Sequence, residues 1–471
     1  MTKNKFLIIL TVLALAFSLP GCQDFFEDVN VDPNNPVEVT PNVILPQVQV
    51  RLAWTIWGEG SRFLGILTQH VDGIARQFFV FQQYELQPDD MDSFMGDNLY
   101  SGVLMDNRQL MQLADENGYH YYAGIARALE AYTMLFMTDT WGDLPYSEAF
   151  KGVENLQPKF DPQEQIYNAV FTRISEARTL LSGEEGPVAT TNDLIYNGDP
   201  AQWLKFLNVL EARAHLHLAA RDGGSYGKAL AALQEGGFES ASDEPRLAFG
   251  NGASETGPWF QFIQDRDDTE VGASYTTLLN SLNDPRINTL GAAHDVSDNP
   301  ANYSHPIFTR NWATPFMTYP EQLFMLAEIQ FEMGQTADAH QAYLDGIAAS
   351  FEQNEEYFLR LETLELPGGP VPVSEVDFDQ LLADYLAQSE VDPGENGLTL
   401  EHIMTQKYIA LYADPEVFND WRRTGIPELD PNTGSQIPRR LPYAEQTILL
   451  NDNTPSPADL TIFSRVWWDV Q

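Results

Sequence analysis

The chain has 471 residues, and 68 Asp and Glu against 26 Lys and Arg give it a formal net charge of −42. So acidic a surface repels phosphate backbones and anionic lipid, which excludes nucleic acid as a partner and adsorption as a route to a membrane. The single cysteine excludes an internal disulfide and a thiolate zinc site, so a chain of this length must be held by its own core.

At the N-terminus, Lys3 and Lys5 precede an apolar run of about 12 residues, FLIILTVLALAF, Phe6 to Phe17. That is the length of a signal-peptide hydrophobic region and too short to span a bilayer, which takes about 20 residues. The run leads into LPGC, Leu19 to Cys22, which resembles the bacterial lipoprotein box. The resemblance implies a signal peptide over residues 1–21 and acylation of Cys22, lipid then replacing the leader as the only membrane anchor. Residues 22–41 read as a tether, because VDPNNPVEVTP holds three prolines, which block helix and strand alike. No later stretch approaches 18 consecutive apolar residues, so no transmembrane helix is expected. Residues 42–471 read as a single domain.

Helical periodicity dominates that domain. The apolar spacing predicts helices at 42–80, broken near Gly58 to Gly60, and at 97–116, 119–138, 161–182, 200–221, 226–235, 320–334, 336–351, 376–388, 398–413 and 415–423. Asp161-Pro162 and Asp199-Pro200 read as helix starts, the acid capping free N–H groups and proline taking the first helical position. Alternating strand patterns are scarce, so the fold class is mainly α. Three low-periodicity stretches, 236–319, 352–397 and 424–471, read as long loops. Their aromatic residues (Trp259, Phe260, Phe262, Tyr275, Trp312 and Phe316) argue for order. Between Glu321 and Ser350, the residues Ala327, Gly334, Ala339, Tyr343 and Gly346 fall at spacings similar to a tetratricopeptide repeat, the small ones letting two helices approach closely. No strict period of about 34 residues runs through the chain, so such repeats are degenerate.

Several patterns that spell chemistry do not carry it. Gly223 to Gly227 matches G-x-S-x-G, but a nucleophile elbow needs a strand before the serine, and WLKFLNVLEARAHLHLAA is helical. His215 and His217 lie two apart on that helix and point to different faces, so they cannot share a metal. Asp89, Asp90, Asp92 and Asp97 lack the glycine of a calcium loop and read as a solvated acidic turn. With so many acids a glycosidase pair could be named anywhere, so none is selected. The expectation is no catalytic residue, no metal and no cofactor.

Three segments point to a family. The first is Tyr119 to Phe150, a helix with small residues at Ala123, Ala126, Ala128 and Ala131, ending in Trp141-Gly142-Asp143-Leu144-Pro145-Tyr146. The second is TYPEQLFMLAEIQFEMG, Thr318 to Gly334. The third is LEHIMTQKYIALYADPEVFNDWRRTGIPEL, Leu400 to Leu429, followed by Pro438-Arg439-Arg440 and Tyr443 to Glu445. With the lipoprotein leader and the DPNNP tether, the whole chain resembles the SusD/RagB family of Bacteroidetes outer-membrane lipoproteins, in the branch with the TQKYIAL…DWRRTG segment. The resemblance implies a SusD-like α domain of four tetratricopeptide-like helix pairs elaborated by loops. It implies a SusC-like TonB-dependent transporter as partner, and capture without catalysis of an oligomeric nutrient, usually a glycan. Asp24, Glu27 and Asp28 resemble the acidic tag that sends some of these lipoproteins to the cell surface, so the expected location is the outer membrane, facing outward. Arg422 and Arg423 are expected to cap carbonyls and pair with acids, and Trp141 and Tyr146 to pack around a turn. Two other functions stay open: a lipid-anchored hydrolase on the same polymer, and a tetratricopeptide-type envelope scaffold.

Capture of a glycan needs flat aromatic faces for sugar C–H surfaces beside polar groups for hydroxyls. Two stretches hold both: Arg76 to Asn98, and Trp259 through Gln261, Arg266 and Tyr275 to Trp312. In the family, ligand contacts tend to fall in the loop after the first long helix and in the middle region. The candidate ligand residues are Tyr84, Trp259 and Trp312, with Phe81 and Tyr275 behind them.

Overall fold

The computed structural model describes residues 40–470 other than 184–185, 190, 267, 291–304 and 360. The leader, Cys22 and the tether as far as residue 39 lie outside the described residues.

Helix α1, Pro41–Thr55, runs into a single π-helical turn, Ile56–Gly60, and then into α2, Ser61–Leu67. The break predicted near Gly58 to Gly60 is this widened turn; the chain stays helical through it. The helix does not reach residue 80. Strand β1, Val71–Gly73, and helix α3, Arg76–Gln82, follow as a tight reversal. Only glycine fits at Gly73, where a Cβ would stand 1.9 Å from the Phe78 carbonyl oxygen. A second π-helical stretch, Asp92–Leu104, leads into α4, Met105–Glu116.

Helices α5, His120–Trp141, α6, Gln163–Leu181, α7, Pro200–His217, and α8, Ser225–Gln234, pack in succession, with α4 laid on α5. Small residues let α5 and α6 close up: a Cβ at Gly124 would meet Leu181 Cγ at 2.7 Å. Asp199 caps α7 as its sequence predicts, accepting from the Ala201 N–H at 2.9 Å. Asp161 does not cap α6. Strand β2, Leu144–Pro145, pairs with β3, Phe160–Asp161, and turns that carboxylate onto the N–H groups of Tyr146 and Ser147. Asp143 serves α6 in its place, accepting from the Gln163 N–H at 2.8 Å. The G-x-S-x-G letters form the turn from α7 into α8, with Ser225 as the first residue of α8.

The stretch 236–319, expected as loop, carries short elements that periodicity does not reveal. They are β4, Arg246–Ala248, α9, Pro258–Asp265, β5, Thr269–Val271, α10, Ala273–Ser281, and β6, Ala313–Pro315. Strand β5 pairs antiparallel with β1, Val271 opposite Val71, and so pins the middle region to the start of the domain. Helices α11, Tyr319–Glu332, and α12, Thr336–Phe358, form the predicted hairpin, α12 running on past residue 351. Gly334 makes the turn with φ +74°. A Cβ at Gly346 would lie 2.9 Å from Phe324 Cε1, which is why the two helices need glycine there. Tyr343 fills the hairpin, its hydroxyl donating to the Val391 carbonyl at 2.6 Å. Helices α13, Phe378–Leu386, α14, Leu400–Ala410, α15, Glu416–Thr424, and α16, Glu445–Leu450, complete a mainly α fold.

A buried ionic layer crosses the helix pairs. Arg213 forks onto Glu321 at 2.5–2.8 Å. His217 lies between Asp139 Oδ2, 3.0 Å, and Glu416 Oε1, 2.6 Å. Arg423 grips Glu328 with both Nη groups and reaches Asp420, while Arg422 donates to the carbonyls of Asp139 and Arg439. The irregular C-terminal stretch is tied to the same layer, Trp468 Nε1 donating to Asp139 Oδ1 at 2.7 Å and Arg439 pairing with Asp469. Trp141 is fully buried with its indole N–H on the Pro442 carbonyl, and Tyr146 donates to Glu130. Among the described residues no helix is long and apolar enough to cross a membrane.

Candidate functional site

The two aromatic stretches meet along one open cleft of about 480 Å³. One wall is the α1–π–α2 segment, with Trp54, Glu59 and Arg62. The other is α9, with Gln261 and Phe262, and Arg266 just after it, and α3 closes one end with Gln77 and Phe81. The π turn explains why the first wall can serve both stacking and hydrogen bonding. Winding five residues to a hydrogen bond places residues five apart on one face, so Trp54 and Glu59 point the same way.

Trp54 and Phe262 are half-buried. Trp54 stands edge-on to Phe249 at 6.1 Å, and Phe262 edge-on to Phe78 at 5.0 Å, arrangements that hold each ring in place. The Arg62 guanidinium lies 4.4 Å over Phe262 and 5.8 Å from Trp259. Burial lowers its pKa to about 10; Glu59 opposes that fall and Arg266 adds to it. Glu59 accepts from Asn98 Nδ2 at 2.7 Å. Burial raises the Glu59 pKa against the opposing pull of Asn98 and Arg62. Burial likewise raises Asp90, at the cleft edge, which accepts the Gln87 N–H at 2.9 Å. Flat apolar faces, a guanidinium, amides and carboxylates therefore share one concavity, which suits a ligand with C–H surfaces and many hydroxyls.

One of the five predicted ligand residues lines this cleft, and a second packs behind it. Phe81 lines it with its ring packed on Phe63 and Phe78, while Trp259 is buried behind Arg62 and Phe262, 1% exposed, with its indole N–H on Ser61 Oγ at 2.9 Å. The other three lie elsewhere. Tyr84 is buried at φ +60° with its hydroxyl accepting from the Asn432 N–H. Tyr275 is buried in a cluster with His70, Tyr408 and Tyr412, and donates to the Ile409 carbonyl. Trp312 is half-buried and edge-on to Trp57 at 4.7 Å, beside a separate small cavity. Four of the five rings are thus spent on packing, because long loops over a helical bundle need a core of their own. The residues that present faces and charge, Trp54, Phe262, Glu59 and Arg62, were none of them candidates. The segment RLAWTIWGEGSRF carries three of them, with two glycines that mark the widened turn, and α9 carries Phe262. Among the described residues no three His, Cys, Asp or Glu converge as a metal site.

A second groove, about 330 Å³, lies along the Asp92–Leu104 segment and α16, and includes Tyr100, Phe150 and Leu450. Leu156, 73% exposed, and Leu450, 70% exposed, line it; Val153 at 91% and Leu449 at 70% are the other two most exposed large apolar side chains among the described residues.

A family model described as starch-binding and associating with the outer membrane, SusD-like_2, matches residues 33–444. Solved structures share the fold. A SusD/RagB family protein of Bacteroides thetaiotaomicron VPI-5482 superposes with a TM-score of 0.74 at 24% identity, covering 92% of this chain and 99% of that one. A SusD homolog of Bacteroides fragilis NCTC 9343 gives 0.72 at 21%, with 92% and 99% covered. A chitin-binding protein gives 0.71 at 22%, with 92% and 100% covered. No curated protein matches the sequence.

Proposed function

Since the chain belongs to the SusD-like family of starch-binding proteins that associate with the outer membrane, we propose that it is a cell-surface lipoprotein that captures an oligomeric glycan. In this proposal it binds the glycan in the Trp54–Phe262 cleft without cleaving it, and passes it to a SusC-like TonB-dependent transporter. The observation that carries this reading is the cleft itself: two held aromatic faces beside a carboxylate, a guanidinium and amides, open to solvent on an otherwise strongly acidic protein. Anchoring through Cys22 agrees with the leader and with the lack of any membrane-crossing helix among the described residues. The partner reading is supported by the groove where Leu156 and Leu450 stand exposed, since exposed apolar side chains of this kind mark protein contacts.

The test is calorimetric titration of the purified chain with starch- and chitin-derived oligosaccharides, beside Trp54→Ala and Phe262→Ala combined. Binding to the parent, lost in the double variant with its melting curve preserved, is the expected result. Unchanged binding in the variant removes the cleft from the proposal. New reducing ends in the incubation would turn the reading into a hydrolase. Failure of labelled palmitate to enter the parent, or equal labelling of Cys22→Ser, would remove the anchor.

A further inference from the structure

We propose that Arg62 determines what the cleft selects, and that the favoured ligand is an oligosaccharide carrying an isolated carboxylate, a single uronate among neutral sugars. The inference rests on the cleft being the ligand site.

The argument starts from how this chain treats its buried guanidinium groups. Arg213 is forked onto Glu321. Arg286 is held by Asp284, Ser350 and Gln406. Arg422 is held by three carbonyls and the Asn419 amide oxygen, and Arg423 by Glu328 and Asp420. Arg62 departs from that pattern. Among the described residues none accepts a hydrogen bond from it and none forms an ion pair with it. Its Nε is buried without a partner, and its Nη groups open on the cleft. The stack on Phe262 holds the guanidinium plane, so the fork is arranged before any ligand arrives.

A guanidinium fork matches a carboxylate with two parallel hydrogen bonds and cancels its charge. Sugar hydroxyls can meet the same donors, but they leave the charge uncompensated in a partly desolvated place. The groups that share the concavity set the upper limit on ligand charge. Glu59 stands one turn before Arg62 and is occupied by Asn98, while Asp90 and Asp265 line the edges. Arg266, the other cation there, already faces Asp268 at 3.6 Å. One guanidinium without a direct ion pair among the described residues thus sits between Glu59, Asp90 and Asp265 on a chain of net charge −42. A lone carboxylate can reach Arg62. A polyanion would lay its further charges against Glu59, Asp90 and Asp265.

The experiment uses the full chain and two matched probes: a tetrasaccharide containing one glucuronate, and the same tetrasaccharide after carboxyl reduction to glucose. Calorimetry at low and moderate salt is expected to give about tenfold tighter binding of the acidic form. That preference should vanish in Arg62→Gln, which keeps a hydrogen-bonding amide but no charge, with its melting temperature unchanged or raised. Equal affinity of the parent for both forms, binding of neither, or a preference that survives in Arg62→Gln overturns the inference. Its failure is separable from that of the cleft. If the parent does not discriminate while Trp54→Ala with Phe262→Ala abolishes binding of both probes, the cleft stands and the selectivity falls. If that aromatic variant binds both probes as the parent does, the cleft falls and the inference with it.

Discussion

Replacing His217 by Gln should flatten the alkaline arm of the stability curve. His217 is 1% exposed and lies between Asp139 and Glu416. Burial works against a charged ring here, but the two carboxylates outweigh it and raise the pKa from 6.5 to about 9. The folded chain therefore holds that proton more tightly than the unfolded chain. At about 1.4 kcal/mol for each tenfold change in proton affinity, the rise is worth on the order of 3 kcal/mol. This contribution is complete below pH 6.5 and is lost as the pH climbs through 9. The Gln variant lacks it and leaves two buried carboxylates short of a counter-charge, so it should be several kcal/mol less stable at pH 6. The gap should narrow by about 3 kcal/mol toward pH 9.5. Urea unfolding at pH 6, 7, 8, 9 and 9.5, at constant ionic strength, measures it. Asp414, whose pKa burial and the neighbouring Glu321 raise to about 7, titrates in both proteins and drops out of the difference. Parent and variant curves that run parallel from pH 6 to 9.5 would refute the reasoning.

Arg213→Met should cost about 3–5 kcal/mol, because Glu321 is left buried without its fork; urea unfolding with Glu321→Gln added should recover part of the loss. Gly346→Val should cost about 1–3 kcal/mol, read as a lowered melting temperature, since its side chain has to displace the Phe324 ring. Trp259→Ala should lose about 3–5 kcal/mol of stability whatever it does to ligand, because the ring is fully buried and its indole N–H holds Ser61.

Local rules made part of this protein legible. Asp199-Pro200 starts a helix because a carboxylate and a fixed φ act within three residues, and the Ala327–Gly346 spacing announces a close hairpin because small residues recur at helical intervals. The Arg422-Arg423 pair at a helix end had to find carbonyls and acids, and did, from the last turn of α15. The same rules misjudged Asp161, where a strand pairing across the Leu144–Pro145 turn claimed the carboxylate first.

The cleft lay beyond them. Its location was readable in outline, since both aromatic stretches line it. Which rings stay free was not, because that depends on partners distant in sequence. Trp259 is spent on Ser61, 198 residues away, Tyr275 on Ile409, 134 away, and Tyr84 on Asn432, 348 away. Composition, periodicity and capping are properties of neighbouring residues, so the chain by itself determined a mainly α, strongly acidic protein of the SusD-like kind. Exposure and charge pairing are properties of what the rest of the chain brings alongside. Only the tertiary structure could therefore leave Trp54 and Phe262 open and Arg62 without a hydrogen-bond acceptor among the described residues, while burying Tyr84, Trp259 and Tyr275, which looked equally available.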